Sequence, residues 1–235
     1  MPVEFDFADD VVLVTGAGGA LGSAVVDAFG AAGATVCGAD LVGPESEDFL
    51  GDPDAMCIHE ADFTDEGDVE RVIDEVIDEH GRLDYLCNVA GSWRGDTPVE
   101  DTDVETFEFM FDVNLKTMFL ASKHALPHLQ ESEGAIVSVS ARSSLEGGEG
   151  DGPYRASKAG VRRLTETIAE ENRGSVRANA IMPSVIDTPM NRELMPDADQ
   201  AQWVAPADIA ETVLALCSEA TSVTSGAAVP VYGEA

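Results

Sequence analysis

The chain has 235 residues, 44% hydrophobic and 25% charged, which fits one larger α/β domain and excludes disorder, collagen and coiled coil. No apolar run reaches the roughly 18 residues of a membrane helix, and acid in the segment 1–10 is the opposite of a basic secretory leader, so a soluble, cytoplasmic protein is expected. Asp and Glu number 45 against 13 Lys and Arg, a net charge of −32 that repels nucleic-acid phosphates and anionic membranes.

An apolar run at 11–15 ends in a glycine cluster, the pattern of a strand feeding a helix over 20–33. A strand at 34–40 and a weaker one at 56–59 follow. The span 65–80 is the clearest helix: Val69, Val72, Ile73, Val76 and Ile77 share one face, acid covers the other, and Gly81 ends it. A strand at 83–87 precedes a long helical stretch over 103–131, with a bend expected near Pro127. Then come a strand at 135–140, a helix at 154–172, a strand at 176–181, a helix at 206–218 and a last strand at 227–231. The longest irregular stretches are 144–153 and 188–205, lengths at which loops often carry function. This alternation predicts a single-domain, doubly wound (Rossmann) α/β fold. Its parallel sheet of about seven strands has helices on both faces and binds ligands at the strands' carboxyl ends. No linker, repeat or composition shift marks a second domain.

Acid is spread over the whole chain, so self-repulsion is a property of the fold and not of a tail. At molar salt the Debye length is about 3 Å and that repulsion largely disappears; a halophilic protein is expected. Cysteines stand at 37, 57, 87 and 217 without disulfide or metal spacing, so reduced, buried thiols are expected. His124 and His128 are four apart but lack an accompanying carboxylate motif, and no metal is expected.

The first strand runs into Thr15-Gly16-Ala17-Gly18-Gly19-Ala20-Leu21-Gly22, and a helix follows at once. Glycines there let the backbone approach a pyrophosphate at the helix amino end. The next strand ends at Asp40, 18 residues beyond Gly22. A carboxylate at that point accepts from both hydroxyls of an adenosine ribose and repels a 2′-phosphate. No Arg or Lys in the glycine loop or just after Asp40 offsets that repulsion, so NAD(H) is expected over NADP(H).

The Thr-Gly pair with Gly22 six residues after Gly16, then Asn88-Val89-Ala90-Gly91, Asn114, and Tyr154 four residues before Lys158 span nearly the whole chain. In order and interval this resembles the short-chain dehydrogenase/reductase family. The resemblance implies a nicotinamide-dependent oxidoreductase acting on a small-molecule substrate. It implies that Gly16, Gly18, Gly19, Leu21 and Gly22 cradle the cofactor and that Asp62 lies by the adenine. Asn88, Ala90 and Gly91 would line the cofactor groove, and Pro183, Ser184, Ile186 and Thr188 would hold the nicotinamide end. It also implies a homodimer or homotetramer through the helices around 103–131 and 154–172. Two positions depart from the family pattern: Ala20 stands for a glycine, and Ala141, thirteen residues before Tyr154, stands for the catalytic serine.

Tyr154 and Lys158 share a helix face. A phenol titrates near 10 in water, and a neighbouring ammonium together with the positive ring of NAD⁺ stabilises the phenolate. Tyr154 then serves as general acid for reduction and as base for oxidation. Tyr154 and Lys158 also belong to the expected cofactor site, Lys158 on the nicotinamide ribose, and Asn114 is expected to hold a water that links Lys158 to solvent. The missing serine's task is to donate a hydrogen bond to the substrate oxygen. Ser140 and Ser143 are both candidates for it, and a substrate that needs no such donor is the third possibility. The segments 19–22, 87–93 and 187–203 are locally similar to dihydropteridine reductases, in which that serine is also missing and whose quinonoid substrate is already electron-poor. Trp93 or Trp203 would stack on a flat pterin. The alternatives are a ketone or 3-oxoacyl-thioester reductase and a non-catalytic nicotinamide-sensing protein.

Overall fold

Seven short apolar strands build one parallel sheet: β1 (Val11–Thr15), β2 (Thr35–Asp40), β3 (Cys57–Glu60), β4 (Tyr85–Asn88), β5 (Ala135–Val139), β6 (Arg177–Pro183) and β7 (Ala228–Val231). Their order is β3-β2-β1-β4-β5-β6-β7. The chain reverses its direction of travel between β1 and β4, which opens a crevice at their carboxyl ends. The computed structural model describes residues 5–233; Met1–Glu4 of the acidic amino-terminal segment lie outside the described residues.

Side-chain alternation explains why the central strands are largely apolar. Val11 and Leu13 face one layer, with α2 (Glu66–His80), α4 (Thr117–Ser132) and α5 (Gly152–Glu171). Val12 and Val14 face the other, with α1 (Ala20–Ala31) and α7 (Pro206–Cys217). Both faces of the central strands are covered, so polar residues there need partners, as Asn88 finds in Ser122 and Ser138. Asp65 accepts a hydrogen bond from Asp68 N to cap α2, and Gly81 ends it with φ +74°.

The long helical stretch differs from its expected form. α3 (Val104–Phe111) passes into a π-helical turn, Asp112–Lys116, before α4 begins. Pro127 lies inside α4 without ending it, so the irregularity sits fifteen residues earlier than the proline suggested. A π turn often marks a functional position, and this one carries Asn114. The loop expected at 188–205 contains a short helix, α6 (Pro189–Leu194). Among the described residues, no helix is long and apolar enough to cross a membrane.

Candidate active site

At the carboxyl end of β1, Thr15 Oγ1 accepts hydrogen bonds from Val89 N and Ala90 N, both at 3.1 Å. The exit of β4 is thereby tied to the glycine loop. Gly16 follows at φ +68°, and a side chain there would lie 2.8 Å from Ala90 Cα. A Cβ on Gly22 would lie 1.9 Å from Gly16 O. Both positions therefore require glycine. Gly19 precedes α1, whose amino end no side chain caps, so its N–H groups are open to an anion. Gly18 N donates to Asp40 Oδ2 at 2.9 Å, and Leu21 is buried beneath the loop. The tight glycine turn and the open helix end fit a dinucleotide pyrophosphate.

Asp40 pairs with Glu60 across the β2–β3 ladder. Two carboxylates therefore flank this end of the groove, and the first Lys or Arg of the chain is Arg71. Asp62, just past β3, accepts from Thr64 N at 2.8 Å and Thr64 Oγ1 at 2.7 Å, which builds the turn into α2. One feature had no sequence signal: Leu50 N donates to Gly18 O at 2.7 Å. That bond lays the acidic segment after β2 over the glycine loop, with the Phe49 ring against Gly18.

The polar groups of the substrate end converge on Gly91. A Cβ there would lie 2.7 Å from Asn114 Oδ1 and 3.0 Å from Lys158 Nζ. Asn114 is buried and clamps Ser92 twice, accepting from Ser92 N at 3.1 Å and donating to Ser92 O at 3.0 Å. Lys158 is 4% exposed. Its Nζ donates to Val139 O at 2.9 Å, and burial lowers its pKa to about 8. Tyr154 is half-buried one turn earlier on α5. Burial first, then the charge of Asp151, pushes its hydroxyl up to about 12, while Arg155 pulls the other way. Lys158 is not among the charges acting on the phenol here; its ammonium is turned to the Val139 carbonyl.

A model of the short-chain dehydrogenases matches residues 10–199, more than half of the chain. The chain belongs to the short-chain dehydrogenase/reductase family. It is 32% identical over 238 residues to the 3-oxoacyl-acyl-carrier-protein reductase of Thermotoga maritima, covering 95% of this chain and 96% of that one. It is 33% identical over 242 residues to meso-2,3-butanediol dehydrogenase of Serratia marcescens, covering 97% and 95%. Among solved structures, a glucose/ribitol-type short-chain dehydrogenase/reductase of Brucella melitensis superposes with a TM-score of 0.89 at 27% identity over 98% of each chain. The aldohexose dehydrogenase of Thermoplasma acidophilum gives 0.87 at 27% identity, over 97% and 94%. The protein is therefore an oxidoreductase of a nicotinamide-dependent family.

Within this short-chain dehydrogenase/reductase the remaining positions fall as follows. Asn88 is buried, and its amide donates to Ser122 Oγ and Ser138 Oγ at 3.2 Å each. It stitches β4 to α4 and β5 behind the groove. Pro183 ends β6, and Ser184 Oγ donates to Tyr232 O at 2.7 Å. Ile186 bridges to Val204, and Thr188 Oγ1 accepts from Asn191 N to cap α6. Ala141 is buried immediately after β5. The two candidate serines differ. Ser140 Oγ donates to Lys158 O at 2.8 Å, so its one proton is committed to the helix backbone. Ser143 stands in the 3-10 turn Arg142–Leu145, and its Oγ is buried without a partner.

Proposed function

We propose that the protein is an NADH-dependent reductase of a small carbonyl compound, with Tyr154 as general acid. The observation that carries this reading is the buried Lys158 ammonium meeting Asn114 around Gly91, one helical turn from Tyr154. A buried charge with a single carbonyl partner is costly to fold, and a working site explains its retention where a packing role does not. It also speaks against the non-catalytic sensing alternative.

The glycine loop and the open end of α1 would hold the cofactor pyrophosphate. Asp40 would hold the adenosine ribose, Asp62 the adenine side, and the segment from Pro183 to Thr188 the nicotinamide end. When bound, the nicotinamide supplies the hydride. Tyr154 supplies the proton, donating its phenolic hydrogen to the substrate oxygen as the carbonyl becomes an alcohol. The phenol is too weak an acid on its own, so a positive charge beside it is required to stabilise the phenolate left behind. Lys158 supplies that charge once it swings from Val139 O toward the ribose. Its pKa of about 8 lets it pass a proton to the phenolate near neutral pH. The Asn114 side chain is occupied by Ser92, so the relay water would rest on its backbone carbonyl. Ser143 takes the missing serine's part, because its hydroxyl is unspent where that of Ser140 is bound.

The preference for NADH rests on Asp40 and Glu60 flanking the groove, with no basic side chain before Arg71. A 2′-phosphate would meet two negative charges. Exposed Val104, Phe107 and Phe119 on α3 and α4 favour a homodimer or homotetramer through those helices. All four cysteines are free thiols, which suits a reducing, cytoplasmic setting. Ala141 favours a second reading, reduction of a quinonoid pterin that needs no oxygen-directed donor.

The test is oxidation of NADH, and of NADPH, in about 3 M KCl to screen the acidic surface. Ketones, 3-oxoacyl thioesters and quinonoid dihydropterin are offered side by side. NADH turnover of a ketone or thioester, at least tenfold above NADPH, is expected. Turnover of the pterin alone would establish the second reading. Cofactor binding with no turnover of any substrate would overturn both.

A further inference from the structure

Away from the cofactor groove, three soft donors meet between β2, β3 and the end of α2. Cys37 and Cys57 are direct partners across the parallel β2–β3 ladder. His80, the last residue of α2, returns over them. One ligand atom from each of the three lies within 4.8 Å of the others. Cys37 is fully buried, while Cys57 and His80 are half-buried, so the cluster lies between the core and the surface. His80 Nε2 is itself buried and has no hydrogen-bond partner. An imidazole nitrogen left unsatisfied in an apolar corner is costly, and a bound cation removes that cost. Glu79 adds a negative charge beside Cys37.

We propose that Cys37, Cys57 and His80 form a site for a thiophilic cation of the zinc type, with a fourth position open to water. Two thiolates and an imidazole are a donor set that selects Zn(II) or Cu(I) over Mg(II) and Ca(II). Zinc–sulfur and zinc–nitrogen bond lengths set ligand atoms roughly 3.5–3.8 Å apart around a tetrahedral ion. The cluster closes to that spacing with movements of about 1 Å. Binding releases one proton from each thiol to solvent and involves no change of oxidation state. The site lies at the amino end of β3 and the carboxyl end of α2, on the side of the sheet away from the glycine loop, so its role is to staple the edge of the fold. Sequence spacing hid it, because the three residues come from three separate elements.

The experiment is titration of the metal-stripped full-length protein with Co(II), followed by Zn(II). One equivalent of Co(II) is expected to bind with a sulfur-to-cobalt charge-transfer band in the near ultraviolet, and Zn(II) to displace it. With free Zn(II) about 100-fold above Kd, Tm should rise by roughly 5–10 °C. Cys57→Ser and His80→Gln, both at half-buried positions, should each remove the band or weaken binding at least about 10-fold while circular dichroism stays unchanged. The other thiol pair, Cys87 and Cys217, is buried in the opposite layer, so Cys217→Ala should keep the band. Absence of the band in the wild-type protein would overturn the proposal. So would its survival at full strength in Cys57→Ser and His80→Gln, or its loss in Cys217→Ala.

Discussion

Replacing Gly91 by Ala places a methyl 2.7 Å from Asn114 Oδ1 and 3.0 Å from Lys158 Nζ. Comfortable contacts between such atoms are about 3.5 Å, so one or both neighbours must retreat by roughly 0.5–1 Å. The end of the Lys158 side chain can give way, but Asn114 is fixed. Asn114 is held by two hydrogen bonds to Ser92, at 3.0 and 3.1 Å, and Lys158 by one to Val139 O at 2.9 Å. A displacement of about 1 Å in a reacting constellation costs about 10² in rate, equivalent to roughly 2.7 kcal/mol. Overpacking also costs about 1–3 kcal/mol of stability, or roughly 2–12 °C in Tm for a chain of this size. Steady-state NADH oxidation and a thermal melt measure the two effects. Gly30→Ala is the control: Gly30 is exposed on α1 with nothing within 4 Å of its absent Cβ. It should gain roughly 0.5–1 kcal/mol and keep full activity. Wild-type kcat and cofactor affinity in Gly91→Ala would refute the claim that Gly91, Asn114 and Lys158 form one working site.

The serine assignment predicts that Ser143→Ala lowers kcat by about 10²–10³ with little change in KM, and that adding Ala141→Ser restores activity. Ser140→Ala should instead cost about 1 kcal/mol in stability; the opposite pattern would return the donor role to Ser140. Lys158 makes a prediction about pH. Its folded pKa, about 8 against an ordinary 10.5, means that burying the ammonium opposes folding in full below pH 8, and that this cost is lost as pH rises toward 10.5. The gap corresponds to roughly 3 kcal/mol. Lys158→Met should therefore be inactive yet melt higher than the wild type at pH 7, with the difference shrinking by pH 10; a difference independent of pH would contradict the assignment. With a net charge of −32, Tm should climb steadily from about 0.1 to 3 M KCl as the Debye length falls to about 3 Å, and a flat profile would exclude the halophilic reading.

The doubly wound sheet was legible because its strands alternate with helices, and because α2 carries its apolar residues at strict helical spacing above a face of acid. The glycine loop was legible because Gly16 and Gly22 are steric necessities: their missing Cβ atoms would strike Ala90 and Gly16 O. Less could be read where geometry depends on partners distant in sequence. The π turn at Asp112–Lys116 left no mark, since π and α turns draw on the same residues, and Pro127 drew attention to the wrong place. Strand alternation turns Ser140 to the face opposite Ala141 and leaves Ser143 on the same side if the strand continues. The partner of the Ser140 hydroxyl, the carbonyl of Lys158 on another element, had no sequence signal. Nor could spacing foresee that Leu50 would bond Gly18 O, or that the Asn114 amide would be spent on Ser92.

Tyr154 is the proposed proton donor of the reduction. Its most direct test is Tyr154→Phe, with NADH binding followed by fluorescence and turnover followed on the best ketone or thioester substrate. NADH binding should persist, because the glycine loop and Asp40 still hold the other end of the cofactor, while kcat falls by at least about 10², the lower range of general acid–base catalysis. Unchanged turnover in Tyr154→Phe, with binding intact, would contradict the account.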